Sequence, residues 1–181
     1  MRAQFCDRLR QPAISTDAAP WAFVVLPEST SALLPRRGRT TVDGTLNGHC
    51  FRATLEPDGQ LSHWLRIDED LLLASGADYG DVVAVEIMPL EHEPEPELPM
   101  DFLEALAATP AAQAIWQETT TLARVDWIHW ITSSKQSATR VKRIGQACEK
   151  LASGKKRVCC FDPSGYYSKA FKAPAEADQP D

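Results

Sequence analysis

The chain has 181 residues, of which 44% are apolar and 24% charged, and it carries a net charge of −6. These figures support one ordinary domain or two small ones with a real core. No apolar run reaches the roughly 18 residues of a membrane span, and the stretch from Met1 to Arg8 lacks the apolar segment of a secretion signal, so a cytoplasmic location is expected.

Charge is unevenly spread. Residues 1–100 hold 8 Lys/Arg against 16 Asp/Glu, whereas residues 101–181 hold 11 against 9. Within 124–157, nine basic residues face only Asp126 and Glu149. The five cysteines include the adjacent pair Cys159-Cys160. Neighbouring cysteines bridge poorly because the bond strains the peptide between them, so all five read as reduced thiols, most of them buried small side chains.

In chain order, Phe5–Leu9 opens as a strand, and Trp21–Leu26 is a short apolar strand stopped by Pro27. Thr40–Leu46 and His49–Leu55 flank Asn47-Gly48, a hairpin signal because both turn positions need positive φ. Pro57-Asp58-Gly59 turns the chain into a strand over Ser62–Ile67. Asp68 is placed to cap a short helix over Glu69–Ser75 that Gly76 closes, and Val82–Ile87 is a further strand. Five or six short strands with no long crossover helix predict a small closed barrel over residues 1–90.

Residues 91–100, acidic and proline-rich, read as an extended linker. A helical domain over 101–161 follows. Asp101 caps Phe102–Ala108, Thr109-Pro110 opens Ala111–Gln117, and Leu122–Thr132 is apolar almost all round, as a buried helix would be. Ser134 caps a last helix over 135–153, with Val141, Ile144, Cys148 and Leu151 on its inner face and Gly154 at its end. Residues 162–181 read as a disordered tail. The fold class is therefore α+β.

Chemistry-bearing patterns are sparse. His49-Cys50, His63 and Cys159-Cys160 lack the paired spacing of a structural zinc site, so no metal is expected. Asp68-Glu69-Asp70 suits a helix start, and the glycines sit at turns rather than in a phosphate-binding loop. No catalytic residue and no cofactor is expected. Cys159 and Cys160 follow Lys155-Lys156-Arg157, which would lower a thiol pKa where the side chains converge.

The last helix carries the one pattern with content. At about 100° per residue, Lys135, Lys142, Arg143 and Lys150 share the face opposite the core. Thr139 lies among them, Arg140 sits at the edge, and Lys155, Lys156 and Arg157 follow. Clustered like charges repel, a strain that a polyanion relieves. The predicted partner is anionic: an acidic protein surface, a phospholipid headgroup, nucleic-acid phosphates, or the chain's own acidic barrel and Glu-rich linker. Stacking aromatics for nucleic acid would be Tyr166 and Tyr167 beside Lys169 and Lys172, since Trp127 and Trp130 are expected in the core.

Two sets of residues carry a resemblance. Trp21…Pro27, Val42-x-Gly44-x-x-Asn47-Gly48-x-x-Phe51 and Gly76-x-x-x-Gly80-Asp81-x-Val83-x-Val85 resemble a small bacterial domain of unknown function found attached to the bacteriocin-protection (YdeI/OmpD-associated) family. Trp127-Ile128-x-Trp130-Ile131-x-Ser133-x-Lys135, Thr139-Arg140-x-x-Arg143-Ile144 and Leu151-Ala152-x-Gly154-Lys155-x-Arg157 resemble the helical domain of that family itself. The resemblance implies a double-split barrel akin to AbrB/MazE-type DNA-binding hairpins, then a helical domain. It also implies a role in tolerance to bacteriocins or cationic antimicrobial peptides, without a reaction or cofactor.

Overall fold

The computed structural model describes residues 1–178. They form two compact units, one made of Met1–Glu91 with the returning segment from Ser164, the other of His92–Pro163.

The first unit is built on six antiparallel strands: β1 (Ala3–Arg8), β2 (Ala22–Val25), β3 (Thr40–Leu46), β4 (His49–Pro57), β5 (His63–Ile67) and β6 (Val82–Pro89). Their order is β1-β6-β3-β4-β5-β2. Arg10 and Phe23 exchange two backbone hydrogen bonds of 2.9 and 3.0 Å, tying the continuation of β1 to β2. The sheet is thereby nearly closed into a barrel. Period-two alternation sets the inside: Val83, Val85 and Ile87 of β6 are buried while Val82, Ala84 and Met88 face out. Asn47 and Gly48 both take positive φ, so the β3–β4 hairpin turns as its sequence predicts.

Two short helices accompany the barrel. Gly76 closes α2 (Glu69–Ser75) in the left-handed conformation, its N–H reaching the carbonyls of Leu72 and Leu73. Asp68 holds the N-cap position but does not cap, because its carboxylate is bonded to the Arg66 Nε at 2.7 Å. The four-residue α1 (Glu28–Ser31) was not expected; one turn is too short to show a helical period. It places the buried Ser31 hydroxyl against His63.

The disordered tail predicted over 162–181 is corrected as far as Asp178; residues 179–181 lie outside the described residues. Ala13 N–H donates to the Ala175 carbonyl at 2.7 Å, and Ala177 N–H to that of Gln11 at 2.9 Å. Glu176 pairs with Arg8 at 2.5 Å, and Ser164 and Gly165 are buried. Composition reads such a segment as unstructured because its anchors are backbone bonds and one carboxylate, neither of which leaves an apolar pattern.

The second unit contains α3 (Met100–Ala107), α4 (Pro110–Gln117), α5 (Thr121–Thr132) and α6 (Ser137–Ala152). Phe102, Trp116, Trp127, Ile131, Ile144 and Leu151 form its core, with Phe102 and Trp116 edge to face at 5.2 Å. Buried residues run nearly all round α5, as its apolar sequence requires. Thr120 caps it, its hydroxyl accepting from Ala123 N–H at 3.2 Å. Three local expectations are corrected. Pro99, not Asp101, is the N-cap of α3. Gln136, not Ser134, precedes α6, and the Ser134 hydroxyl instead donates to the Ile131 carbonyl. Val141 is 70% exposed, and Ala147 takes its place on the inner face.

Candidate anion-binding surface

The basic residues of α6 and its flanks divide into those with carboxylate partners and those without. Arg140 leans toward the core side and grips Asp101 of α3 through two bonds of 2.6 and 3.0 Å. That pairing raises the Arg140 pKa and lowers that of Asp101. Lys156 pairs with Glu118 at 2.9 Å. Both partners belong to the same helical unit. Counted over His92–Pro163, that unit holds nine Lys/Arg and nine Asp/Glu. It is therefore neutral as a whole: residues 101–161 alone hold nine Lys/Arg against five Asp/Glu, and Glu93, Glu95, Glu97 and Asp162 supply the balance. The proposed linker contributes directly, since Glu95 accepts from Arg124 Nη1 at 2.7 Å.

Arg143 and Lys150 are seven residues apart and so share one side of α6. That side adjoins the core and meets α5. Arg143 Nη1 donates to the Trp130 carbonyl at 2.5 Å and to the Ser133 hydroxyl at 3.2 Å, with its guanidinium carbon 5.4 Å from the Trp130 ring centroid. Lys150 Nζ lies 5.0 Å from the same centroid. Trp130 is only half-buried; it is not simply a core side chain. A guanidinium and an ammonium thus converge on one aromatic ring, each within cation–π range. Neither makes an ion pair with a described residue.

Lys142 projects freely further round the helix, and Thr139 sits half-buried in the first turn of α6. Lys135 is exposed but lies in the α5–α6 connection, because α6 begins only at Ser137. A helical phase therefore does not place it. Lys155 and Arg157 are exposed beyond the helix end. Among the described residues, Lys135, Lys142, Lys155 and Arg157 make no ion pair. The nine predicted residues thus form no single face. Arg143 and Lys150 share one side of α6, Lys142 lies about 80–100° further round the helix, Lys135, Lys155 and Arg157 lie beyond its ends, and Arg140 and Lys156 are neutralised.

The remaining candidates resolve individually. His63 is fully buried, its Nδ1 accepting from the Ser31 hydroxyl at 2.6 Å and its Nε2 donating to the Gly38 carbonyl at 2.9 Å. Burial pushes its pKa down, which matches a neutral ring with both nitrogens engaged. Only Cys148 is buried; Cys6, Cys50, Cys159 and Cys160 are exposed, against the expectation of mostly buried thiols. The Cys159 and Cys160 sulfurs are 3.3 Å apart. That hydrogen bond raises the Cys160 pKa, and Lys150 and Lys155 pull it down less strongly. Tyr166 and Tyr167 are exposed and edge to face at 5.2 Å, in the barrel unit. No group of three or more His, Cys, Asp or Glu residues suited to a metal ion occurs among the described residues.

Sequence reasoning missed the convergence on Trp130. The seven-residue spacing of Arg143 and Lys150 was visible, but the carbonyl that Arg143 reaches is on another helix. Against known families, residues 95–154 match the profile described as bacteriocin-protection, YdeI or OmpD-associated. Residues 10–87 match that of a domain of unknown function, DUF1905. No curated protein matches the chain.

Proposed function

Because this chain joins a DUF1905 domain to a domain of the bacteriocin-protection, YdeI or OmpD-associated family, we propose that it is a non-enzymatic, cytoplasmic binding protein of bacteriocin or cationic-peptide tolerance. Lys142, Arg143 and Lys150 of α6 dock an anionic partner. The observation that carries this reading is the convergence of Arg143 and Lys150 on the half-exposed Trp130, without a carboxylate partner for either among the described residues. Arg143 is held in place by a carbonyl rather than neutralised by an acid, so its charge remains available to a ligand.

The nearly closed barrel is the part of this reading that draws on AbrB/MazE-type hairpins, and a nucleic-acid-binding regulator is the corresponding alternative. The barrel unit works against it, with ten Lys/Arg and sixteen Asp/Glu, since phosphate contacts dominate such affinity.

Three labelled probes separate the partner classes at low salt: poly-glutamate, vesicles containing phosphatidylglycerol, and a random single-stranded oligonucleotide. The K142Q/R143Q/K150Q variant is expected to bind its best probe on the order of 100-fold more weakly than the parent, at roughly 1 kcal/mol per cation facing an anionic surface. K135Q/K155Q should cost about tenfold or less. Equal affinity of the triple variant and the parent for every probe would reject these three residues as the docking site.

A further inference from the structure

We infer that Cys159 and Cys160 form a vicinal dithiol site that captures a trivalent thiophilic metalloid of the arsenite class as a two-sulfur chelate. The two sulfurs are 3.3 Å apart and exposed. A disulfide requires them at about 2.05 Å, with Cα atoms ordinarily at least about 4.4 Å apart. Neighbouring Cα atoms across a trans peptide are only about 3.8 Å apart, so oxidation to a bridge is strained. One bridging atom bonded to both sulfurs at about 2.3 Å, the length of a soft thiolate bond, spans 3.3 Å at an angle of about 90°. That is the angle at a pyramidal three-coordinate centre.

The segment that presents the pair is anchored on both sides. The Lys156 carbonyl accepts from Trp127 Nε1 at 3.3 Å, Val158 packs on the helical core, and the Phe161 ring lies 5.4 Å from that of His129. Cys160 itself holds a left-handed φ of 59°. The chelating geometry is therefore built before any ligand arrives, which limits the ordering cost of binding.

Charge and donor count select the ligand. Lys150 and Lys155 act electrostatically on Cys160 and repel a divalent cation, and a zinc-like ion needs four ligands where no suitable group of three exists among the described residues. Neutral arsenous acid meets neither obstacle. Two As–S bonds form and two As–O bonds break, and each thiol proton leaves with a departing hydroxide as water. The product keeps one hydroxyl on arsenic, and arsenic stays trivalent. The other exposed thiols cannot imitate this. Cys6 lies on β1 and Cys50 on β4, with β6 and β3 between them in the sheet, about 14 Å apart at about 4.8 Å per strand spacing.

Phenylarsine oxide tests the assignment, because its phenyl group leaves arsenic only two thiols to bind. Intact mass spectrometry of the reduced chain should show one adduct, with loss of one water. Excess glutathione should leave it intact, and a small dithiol should remove it. Cys159→Ser and Cys160→Ser should each lower apparent affinity at least 100-fold, while Cys6→Ser/Cys50→Ser should leave it unchanged. No adduct on the parent, release by glutathione alone, or an adduct that survives in either Cys159→Ser or Cys160→Ser would overturn the assignment.

Discussion

Arg124→Met is expected to destabilise the helical unit by about 3 kcal/mol. The guanidinium donates to four acceptors: Thr119 Oγ1 at 3.0 Å, Glu95 Oε1 at 2.7 Å, and the carbonyls of Trp116 and Gln117 at 3.1 and 3.0 Å. Those carbonyls end α4, where helical bonding leaves acceptors open; that of Trp116 also accepts from the Thr119 N–H and hydroxyl. Its carbon also sits 5.6 Å from the Trp116 ring centroid, and the side chain is only 19% exposed. Hydrogen bonds to a charged group contribute roughly 1.5–3 kcal/mol each, and those to Thr119 and the Trp116 carbonyl are part-buried, whereas those to Glu95 and the Gln117 carbonyl are exposed. The bonds share one side chain and do not add, hence the total of about 3 kcal/mol. Arg124→Lys should recover less than half, since an ammonium keeps the charge but loses the planar fork. Urea unfolding followed by tryptophan fluorescence measures both. A loss under about 1 kcal/mol for Arg124→Met would show that Glu95 and the end of α4 do not depend on this residue.

The second large effect is expected at Gly59. Its φ is +74°, and a Cβ built there would lie 2.0 Å from the Phe171 carbonyl oxygen. That atom is backbone, so the collision is relieved only by moving the turn or lifting the returning segment off the barrel. Gly48 provides the comparison, with φ +86° but no atom within 4 Å of the added Cβ. Gly48→Ala should cost about 1–2 kcal/mol, the left-handed penalty alone. Gly59→Ala should cost about 3–4 kcal/mol and open residues 164–178 to limited proteolysis, because the collision adds to the same penalty. Equal losses and equal protease resistance in the two variants would mean that the segment does not pack against this turn.

Much of the barrel was legible because its signals are local. Asn47-Gly48 sets the β3–β4 register, alternation in β6 picks the inner face, and Gly76 stops α2. What escaped depends on distant partners. Asp68 has the residue type of a cap, but Arg66 competes for its carboxylate. The last segment has the composition of a loose end, yet Glu176 meets Arg8 from 168 positions away. The same limit governs the surface of α6. Residue type and spacing located the cations, but nothing in the sequence reveals that Asp101 and Glu118 would neutralise Arg140 and Lys156. Nor does it reveal that Trp130 would gather Arg143 and Lys150. A helical phase applied from Lys135 also overran the true start of α6 at Ser137, since the Ser133–Gln136 stretch carries no stop signal as strong as glycine or proline.

The central claim is that free positive charge on α6 holds an anionic partner, and its most direct measurement is the salt dependence of that binding. Affinity for the random oligonucleotide, taken from about 50 to 200 mM salt, should fall with a log–log slope near −2, as about three released counterions on a single strand require. The K142Q/R143Q/K150Q variant should show a much shallower slope, owed to the flanking cations alone. A parent slope already near zero, or one unchanged in the variant, would contradict the account.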